Sequence, residues 1–291
     1  MIAFGCSITM SDVYAACAEP GIARAAEDDS RTFALQAVGP LARTYNLILK
    51  KAAALDDLEA LVLIHQDAEI TDPMFLSQVR RVFRDPQVGV IGAVGVRGDV
   101  GIAWWDGELV YASIGYRYGE AGGGYRDRLG WEPPGQEPGE VDAVYGVVLV
   151  LSPWVVRNLR FDETLGLTHG YDYDLCRQVR EAGRTVHAAP LRIDHHHALL
   201  LVHDPESWVV AHARVSEKWD RFEGAPDGAQ WKQRARAAEA NRGAGQLRAA
   251  SVALLSDAGR QTHEDERAAV MGTRSWQLTE PLRGLRRRRS S

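Results

Sequence analysis

Three short apolar runs, interrupted by one polar residue (Ser7), constrain this chain more than any other feature: Ile2–Ile8, Ala60–Ile64 and Val88–Val96. Each is the length of a strand, and none shows the apolar/polar alternation of a half-exposed sheet. Strands of this kind are buried on both faces, which calls for a largely parallel sheet with helices on either side. The intervening segments supply those helices. Leu41–Ala54 places apolar residues at 41, 45, 48, 49 and 52, and Asp72-Pro73 opens a second helix running through Phe83, with proline where a first turn tolerates it. Ser11–Ala18 reads as a brief helix and Arg31–Val38 as a further strand. Val141–Leu151 restores a buried strand, followed by helices over Pro153–Leu159 and Asp172–Ala182 and strand character over Thr185–Ile193. The expected class is α/β.

Two regions break the rhythm. Asp99–Gly139 is rich in glycine and aromatics, with a hairpin expected over Trp104–Ser113 around Asp106-Gly107. Long turn-rich segments inside a compact domain are usually lids or binding loops. From Pro205 the pattern becomes helical, interrupted at Glu223–Gly228. The expected division is a catalytic-type domain over 1–222 and a helical C-terminal extension over 223–291, ending in an Arg-rich tail.

Charge narrows the classes of partner. The chain carries −5 overall, but Arg283 and Arg286–Arg289 lie in the last nine residues, and the rest carries about −10. A nucleic-acid binder needs a basic body, so nucleic acid is not an expected partner. The Arg-rich tail instead suggests weak peripheral contact with an anionic membrane face. The longest apolar stretch, Ala143–Val156, is too short to span a bilayer. The first residues lack the positive charge of a secretory leader. Cys6, Cys17 and Cys176 form no paired framework. The expectation is a reduced, cytoplasmic protein.

Chemistry concentrates in three places. His65-Gln66-Asp67-Ala68-Glu69 follows the apolar run Ala60–Ile64, at a strand's carboxyl end, where open α/β sheets bind ligands. On an extended segment residues 65, 67 and 69 share a side, giving an imidazole and two carboxylates suited to Mg²⁺ or Mn²⁺. A polar strand end that merely caps the next helix is the alternative. In Asp194-His195-His196-His197 the first and third histidines share a side and suit a metal, zinc included; a solvated loop is the alternative. In His169-Gly170-Tyr171-Asp172-Tyr173-Asp174, one acid can cap a helix and leave the other for proton transfer. GxGxxG after a strand, GxxxxGK[ST], GxSxG and HExxH are all absent.

Taken in order, these pieces resemble an inverting family 2 glycosyltransferase of the GT-A fold, over roughly residues 1–220. Tyr45-Asn46 followed by LVLIHQDAEI is similar to the segment leading into that family's Asp-x-Asp motif, with His65 in the first Asp place and Asp67 in the second. VDAVYGVVLVLSPWVV resembles the element lining the acceptor side, FDETLGLTHGYDYDLCRQVREAG the segment around the catalytic acid, and HAAPLRIDHHH a strand ending in a metal-binding histidine. Lys218-Trp219 and Ser275–Arg283 resemble closing elements of some such enzymes.

The resemblance implies a Rossmann-like, mixed but mostly parallel sheet flanked by helices. It implies transfer of a sugar from a nucleotide-diphosphate donor to a hydroxyl of a glycan, lipid-linked or small-molecule acceptor. Asp172 is the implied general base. Asp67, His195, His197 and Glu69 are the implied Mn²⁺ or Mg²⁺ ligands. Ala3, Phe4, Gly5, Gln36, Asn46 and Gln66 are the implied nucleotide contacts. Trp104, Trp105, Tyr145, Gly146 and Asp174 fall on the acceptor side, although each tryptophan also reads simply as packing of its loop. Two other classes remain open from the residues: a metal-dependent hydrolase or nucleotidyltransferase using the His/Asp cluster, and a non-catalytic nucleotide-sugar-binding module.

Overall fold

The computed structural model describes residues 1–98, 108–117, 129–131, 137–196 and 205–219, with single positions between 236 and 268. The first half runs β1 (Ile2–Ile8), α1 (Ser11–Ala16), α2 (Ala18–Ala25), β2 (Arg31–Gln36), α3 (Leu41–Ala52), β3 (Ala60–Ile64), β4 (Ala68–Ile70), α4 (Phe75–Val82), β5 (Val88–Gly92) and β6 (Val94–Arg97). It continues through β7 (Glu108–Ala112), β8 (Ile114–Arg117), β9 (Leu129–Trp131), β10 (Gly139–Val141), β11 (Ala143–Val144) and β12 (Val148–Leu151). The remainder is α5 (Pro153–Asn158), α6 (Tyr171–Glu181), β13 (Thr185–Ala188), β14 (Ile193–His196) and α7 (Pro205–Trp219).

The main sheet has seven strands in the order β10-β13-β5-β12-β3-β1-β2. β1 is parallel to β2 and β3, and β13 is parallel to β5, whereas β12 lies antiparallel between β3 and β5 and β10 is antiparallel to β13. Five strands therefore point one way, as the continuous apolar runs require. Alternation along β3 sends Leu61 and Leu63 into one core layer with α3, α5 and α6, and Val62 and Ile64 into the other beneath α2 and α4. β4, β14, β8 and β9 form a second sheet, and β11, β6 and β7 a third.

Several boundaries differ from expectation, each for a local reason. The run Val88–Val96 breaks at Ala93, and its halves join different sheets. Val141–Leu151 breaks at Asp142 and again at Tyr145-Gly146-Val147, dividing it among β10, β11 and β12. Thr185–Ile193 divides at Ala189–Arg192, where Arg192 takes φ 38°. Helix α2 was not expected, because Pro20 and Gly21 mask it; its chain packs so closely on β4 that a Cβ on Gly21 would sit 2.5 Å from the Ile70 amide. The strand in the expected hairpin is present as β7, but it pairs with β6; Trp104 to Gly107 lie outside the described residues. So do the 222/223 boundary and the Arg-rich tail. Among the described residues no helix is long and apolar enough to cross a membrane.

Candidate metal and base site

The carboxyl end of β3 delivers His65 to the rim of the sheet, where its amide bonds the Val147 carbonyl at 3.1 Å. The chain then turns, with the Ala68 amide on the His65 carbonyl at 3.1 Å, and enters β4. β4 pairs antiparallel with β14, setting His195 opposite Ala68, and the His196 amide holds the Asp67 carbonyl at 2.8 Å. This pairing gathers three donors from two distant segments. His195 Nε2 stands 3.5 Å from Asp67 Oδ2, and His65 Nδ1 stands 3.9 Å from Asp67 Oδ1. One ligand atom from each of His65, Asp67 and His195 lies within 4.8 Å of the others.

The turn also explains why Glu69 leaves this group. It lies in β4 across from Asp194, on the other face from His195, and its carboxylate is held by Arg24 and, at 3.1 Å, by His196 Nε2. The expected single-sided set of 65, 67 and 69 therefore holds for the first two only, since the chain turns at Gln66-Asp67 before β4 begins. His197 lies outside the described residues.

Electrostatics suit the cluster to a cation. Burial pushes the His65 imidazole down to about 4, so it is neutral at ordinary pH and has a lone pair to offer. Burial alone would raise Asp67, but the neighbouring His195 and His65 outweigh it and bring its carboxyl down to about 2. Two neutral-capable imidazoles and one ionised carboxylate form a donor set that fits a divalent transition ion.

The second part of the site enters from α6. Gly170 precedes it at φ 78°, a left-handed conformation, and packs against α7. This turn aims the first side chains of α6 at the loop between β11 and β12. Asp172 is buried, with Oδ2 accepting from the Gly146 amide at 2.8 Å and Oδ1 from the Tyr173 amide at 2.9 Å. Burial raises its carboxyl above the ordinary range, and the Tyr173 and Gly146 amides pull the other way. Tyr171 donates its hydroxyl to the Gly146 carbonyl at 2.8 Å and lies 2.6 Å from His65 Nε2. Gly146 thus contacts the acid directly and is linked to the His/Asp cluster through Tyr171. A Cβ there would overlap the Tyr171 hydroxyl and approach Asp172 Cβ to 2.8 Å. Tyr145 approaches His195 Nδ1 at 3.4 Å.

The other expected site residues are placed as follows. Asp174 is wholly buried and bonds Gln178, Lys218 and Trp219, so it fastens α6 to α7. Asn46 is a clamp: its amide bonds the Phe161 N–H and carbonyl, each at 2.9 Å. Ala3 and Phe4 are buried in the two core layers, and the space beside Gly5 is filled by Ile48 and Leu63, 2.6 and 2.8 Å from where a Cβ would stand. The side chains of Ala3 and Phe4 and the space beside Gly5 are thus taken up by packing of the sheet. Gln66 accepts from the Thr9 and Met10 amides at 2.8 and 2.9 Å, pinning the loop after β1 beside the cluster. Gln36 lies exposed at the carboxyl end of β2, near Ser11. Trp104 and Trp105 lie outside the described residues. His65, read from the sequence as sharing a side with Asp67 but absent from the ligand set that the resemblance implies, joins the cluster, and one participant, Tyr171, carried no sequence signal.

A mostly parallel sheet with ligand-bearing loops at its strand ends and a His/Asp cluster beside a buried acid defines a GT-A type α/β protein. The chain matches the glycosyltransferase-like family over residues 11–223, and it belongs to that family. It is 30% identical over 201 residues to the streptomycin biosynthesis protein StrF of Streptomyces griseus, covering 68% of this chain and 66% of that protein, a little under two thirds of its length. Among solved structures it resembles the mannosyltransferase PcManGT of Pyrobaculum calidifontis, determined with GDP-mannose and Mn²⁺. The TM-score is 0.50 at 12% identity, over 95% of this chain and 82% of that one. At that identity the likeness is one of fold.

Proposed function

We propose that this protein is a metal-dependent inverting glycosyltransferase, moving a sugar from a nucleotide-diphosphate donor to a hydroxyl of a glycan, lipid-linked or small-molecule acceptor. One observation carries the reading: the Asp172 carboxylate is bonded to Gly146 directly and the His65/Asp67/His195 cluster is linked to the same glycine through the Tyr171 hydroxyl, beside the carboxyl end of β3, in a chain of the glycosyltransferase-like family. His65, Asp67 and His195 hold the cation, and their two imidazoles favour Mn²⁺ over Mg²⁺. When bound, the cation neutralises the charge that grows on the departing diphosphate.

The protein's own groups supply the rest. The loop Thr9-Met10, pinned by Gln66, and the end of β2 at Gln36 flank the donor's nucleoside. Asp172 accepts the proton of the acceptor hydroxyl while that oxygen bonds to the anomeric carbon. The bond from that carbon to the diphosphate oxygen breaks on the opposite face, which inverts the centre. Its raised pKa makes Asp172 a better base than an ordinary surface aspartate.

The test is binding of UDP, GDP and dTDP with and without Mn²⁺, followed by turnover of a nucleotide-sugar panel. Metal-dependent binding of one nucleotide, and release of that diphosphate, is expected. No nucleotide binding in either condition would overturn the reading.

A further inference from the structure

Metal clusters work only if each imidazole presents the correct nitrogen, and a neutral histidine has one nitrogen that donates and one that accepts. The surroundings of His65 settle which is which. Its Nε2 lies 2.6 Å from the Tyr171 hydroxyl, and the same hydroxyl lies 2.8 Å from the Gly146 carbonyl. A carbonyl oxygen only accepts, so the single phenolic proton goes to Gly146. The Tyr171 oxygen then has only lone pairs left for His65, and Nε2 must carry the ring proton. Nδ1 is left as the lone-pair nitrogen, and it is the atom that faces Asp67, 3.9 Å from Oδ1. Without an intervening cation this arrangement sets a lone pair toward a carboxylate; with one, both become donors to the same ion.

We propose that Tyr171 is a positioning residue of the metal centre: by spending its only proton on Gly146, it locks His65 as the Nε2–H tautomer and presents Nδ1 to the cation. This rests on the metal-site reading above and adds a residue that neither binds metal nor touches substrate. The packing fits the role. Tyr171 is 5% exposed, and its ring is fixed edge-on against Tyr45 at 5.7 Å and against Phe161 at 5.9 Å, so the hydroxyl has a defined address. Gly146 must lack a side chain because a Cβ would occupy the place of that hydroxyl. The same glycine donates its amide to Asp172. One residue's two backbone groups therefore orient the metal ligand, through Tyr171, and the base directly.

Tyr171→Phe in the full-length protein isolates the hydroxyl, because the ring packing is retained. Long-range ¹H–¹⁵N spectra of the metal-free protein, with His65 assigned by its loss in His65→Gln, should show the Nε2–H tautomer in the wild type. Tyr171→Phe should shift that resonance toward a tautomer mixture. Its Mn²⁺ affinity, read by calorimetry, should fall by about 10- to 100-fold, the usual cost of losing a partner behind a metal ligand. A wild-type His65 protonated at Nδ1 overturns the proposal whatever the variant does, and so does a variant whose Mn²⁺ affinity stays within about two-fold of wild type. Asp67→Ala and His195→Ala separate this from failure of the metal reading. If those abolish Mn²⁺ binding and Tyr171→Phe leaves it within about two-fold of wild type, only the role of Tyr171 falls. If none of the three affects it, the metal site itself falls.

Discussion

Trp219 donates its indole N–H to the Asp174 carboxylate at 2.8 Å, joining the last residue of α7 to the first turn of α6. Lys218 reaches the same buried carboxylate at 2.8 Å and Asp162 at 2.9 Å, so the end of one helix fixes the start of another. That start carries Tyr171 and Asp172. The Lys-Trp pair therefore acts on the site through position, without contributing to it directly.

Removing the anchor should cost stability first. Asp174→Ala leaves Lys218 with Asp162 alone and the Trp219 N–H without its acceptor. A loss of about 2–3 kcal/mol is expected, as for removing hydrogen bonds to a charged group when the cation keeps a second partner. Equilibrium denaturation would show it as a lower midpoint, whereas Trp219→Phe should cost about 1 kcal/mol for one hydrogen bond. Equal midpoints for wild type and Asp174→Ala would contradict the anchor.

Asp172→Asn keeps the shape of the side chain but removes its basicity. Transfer should fall by about 10²- to 10⁴-fold, the usual contribution of a positioned base. Calorimetric binding of Mn²⁺ and donor should change little. Unchanged turnover would take Asp172 out of the base role.

Asp67 and Glu69 make a matched pair for dissecting the metal site, being two residues apart with different partners. Asp67→Asn should weaken Mn²⁺ binding by at least about ten-fold. Glu69→Gln should leave it within about two-fold, because that carboxylate is committed to Arg24 and His196. The reverse order would return Glu69 to the ligand set.

Acid should destabilise the metal-free protein before its carboxylates titrate. Burial lowers His212 to about 3 and His65 to about 4, both below the unfolded value of 6.5. The unfolded chain thus binds the extra protons, so stability is complete above about pH 6.5 and falls as pH drops toward 4. Near pH 5 these two groups together take up about two protons on unfolding, and His212→Gln should remove about one. The slope of denaturation midpoint against pH measures the difference; identical slopes would exclude His212 from this behaviour.

The sheet was more legible in the sequence than the site. β3 was read to the residue because Ala60–Ile64 is apolar throughout and has no competing pattern. The same rule failed at Val141–Leu151, where apolarity cannot show that Gly146 must bend out to meet Tyr171 and Asp172. Asp67 and His195 were recoverable because their neighbourhoods carry ordered motifs. The reading of Glu69 assumed an extended chain where the backbone turns. Asn46 as a nucleotide contact and Asp174 on the acceptor side were placed by the resemblance alone; their structural partners, Phe161 and Trp219, are 115 and 45 residues away, and no local pattern reveals them. Tyr171 was invisible for the opposite reason, as an aromatic residue opening a helix is ordinarily core.

The antiparallel strand β12 has a consequence for how the chain comes into being. β2, β1 and β3 form one block, β5, β13 and β10 another, and in the seven-stranded order β12 alone lies between them. A nascent chain that has emerged only as far as β5 holds two strand edges that cannot yet meet. His65 and Asp67 are by then already made, but the strand that sets the Gly146 loop beside them ends at Leu151, and His195 follows later still. Synthesis must therefore pass Leu151 before His65 and Asp67 have a wall to lean on. Fragments ending before Leu151 should expose the β3 edge and aggregate instead of forming a smaller version of the fold.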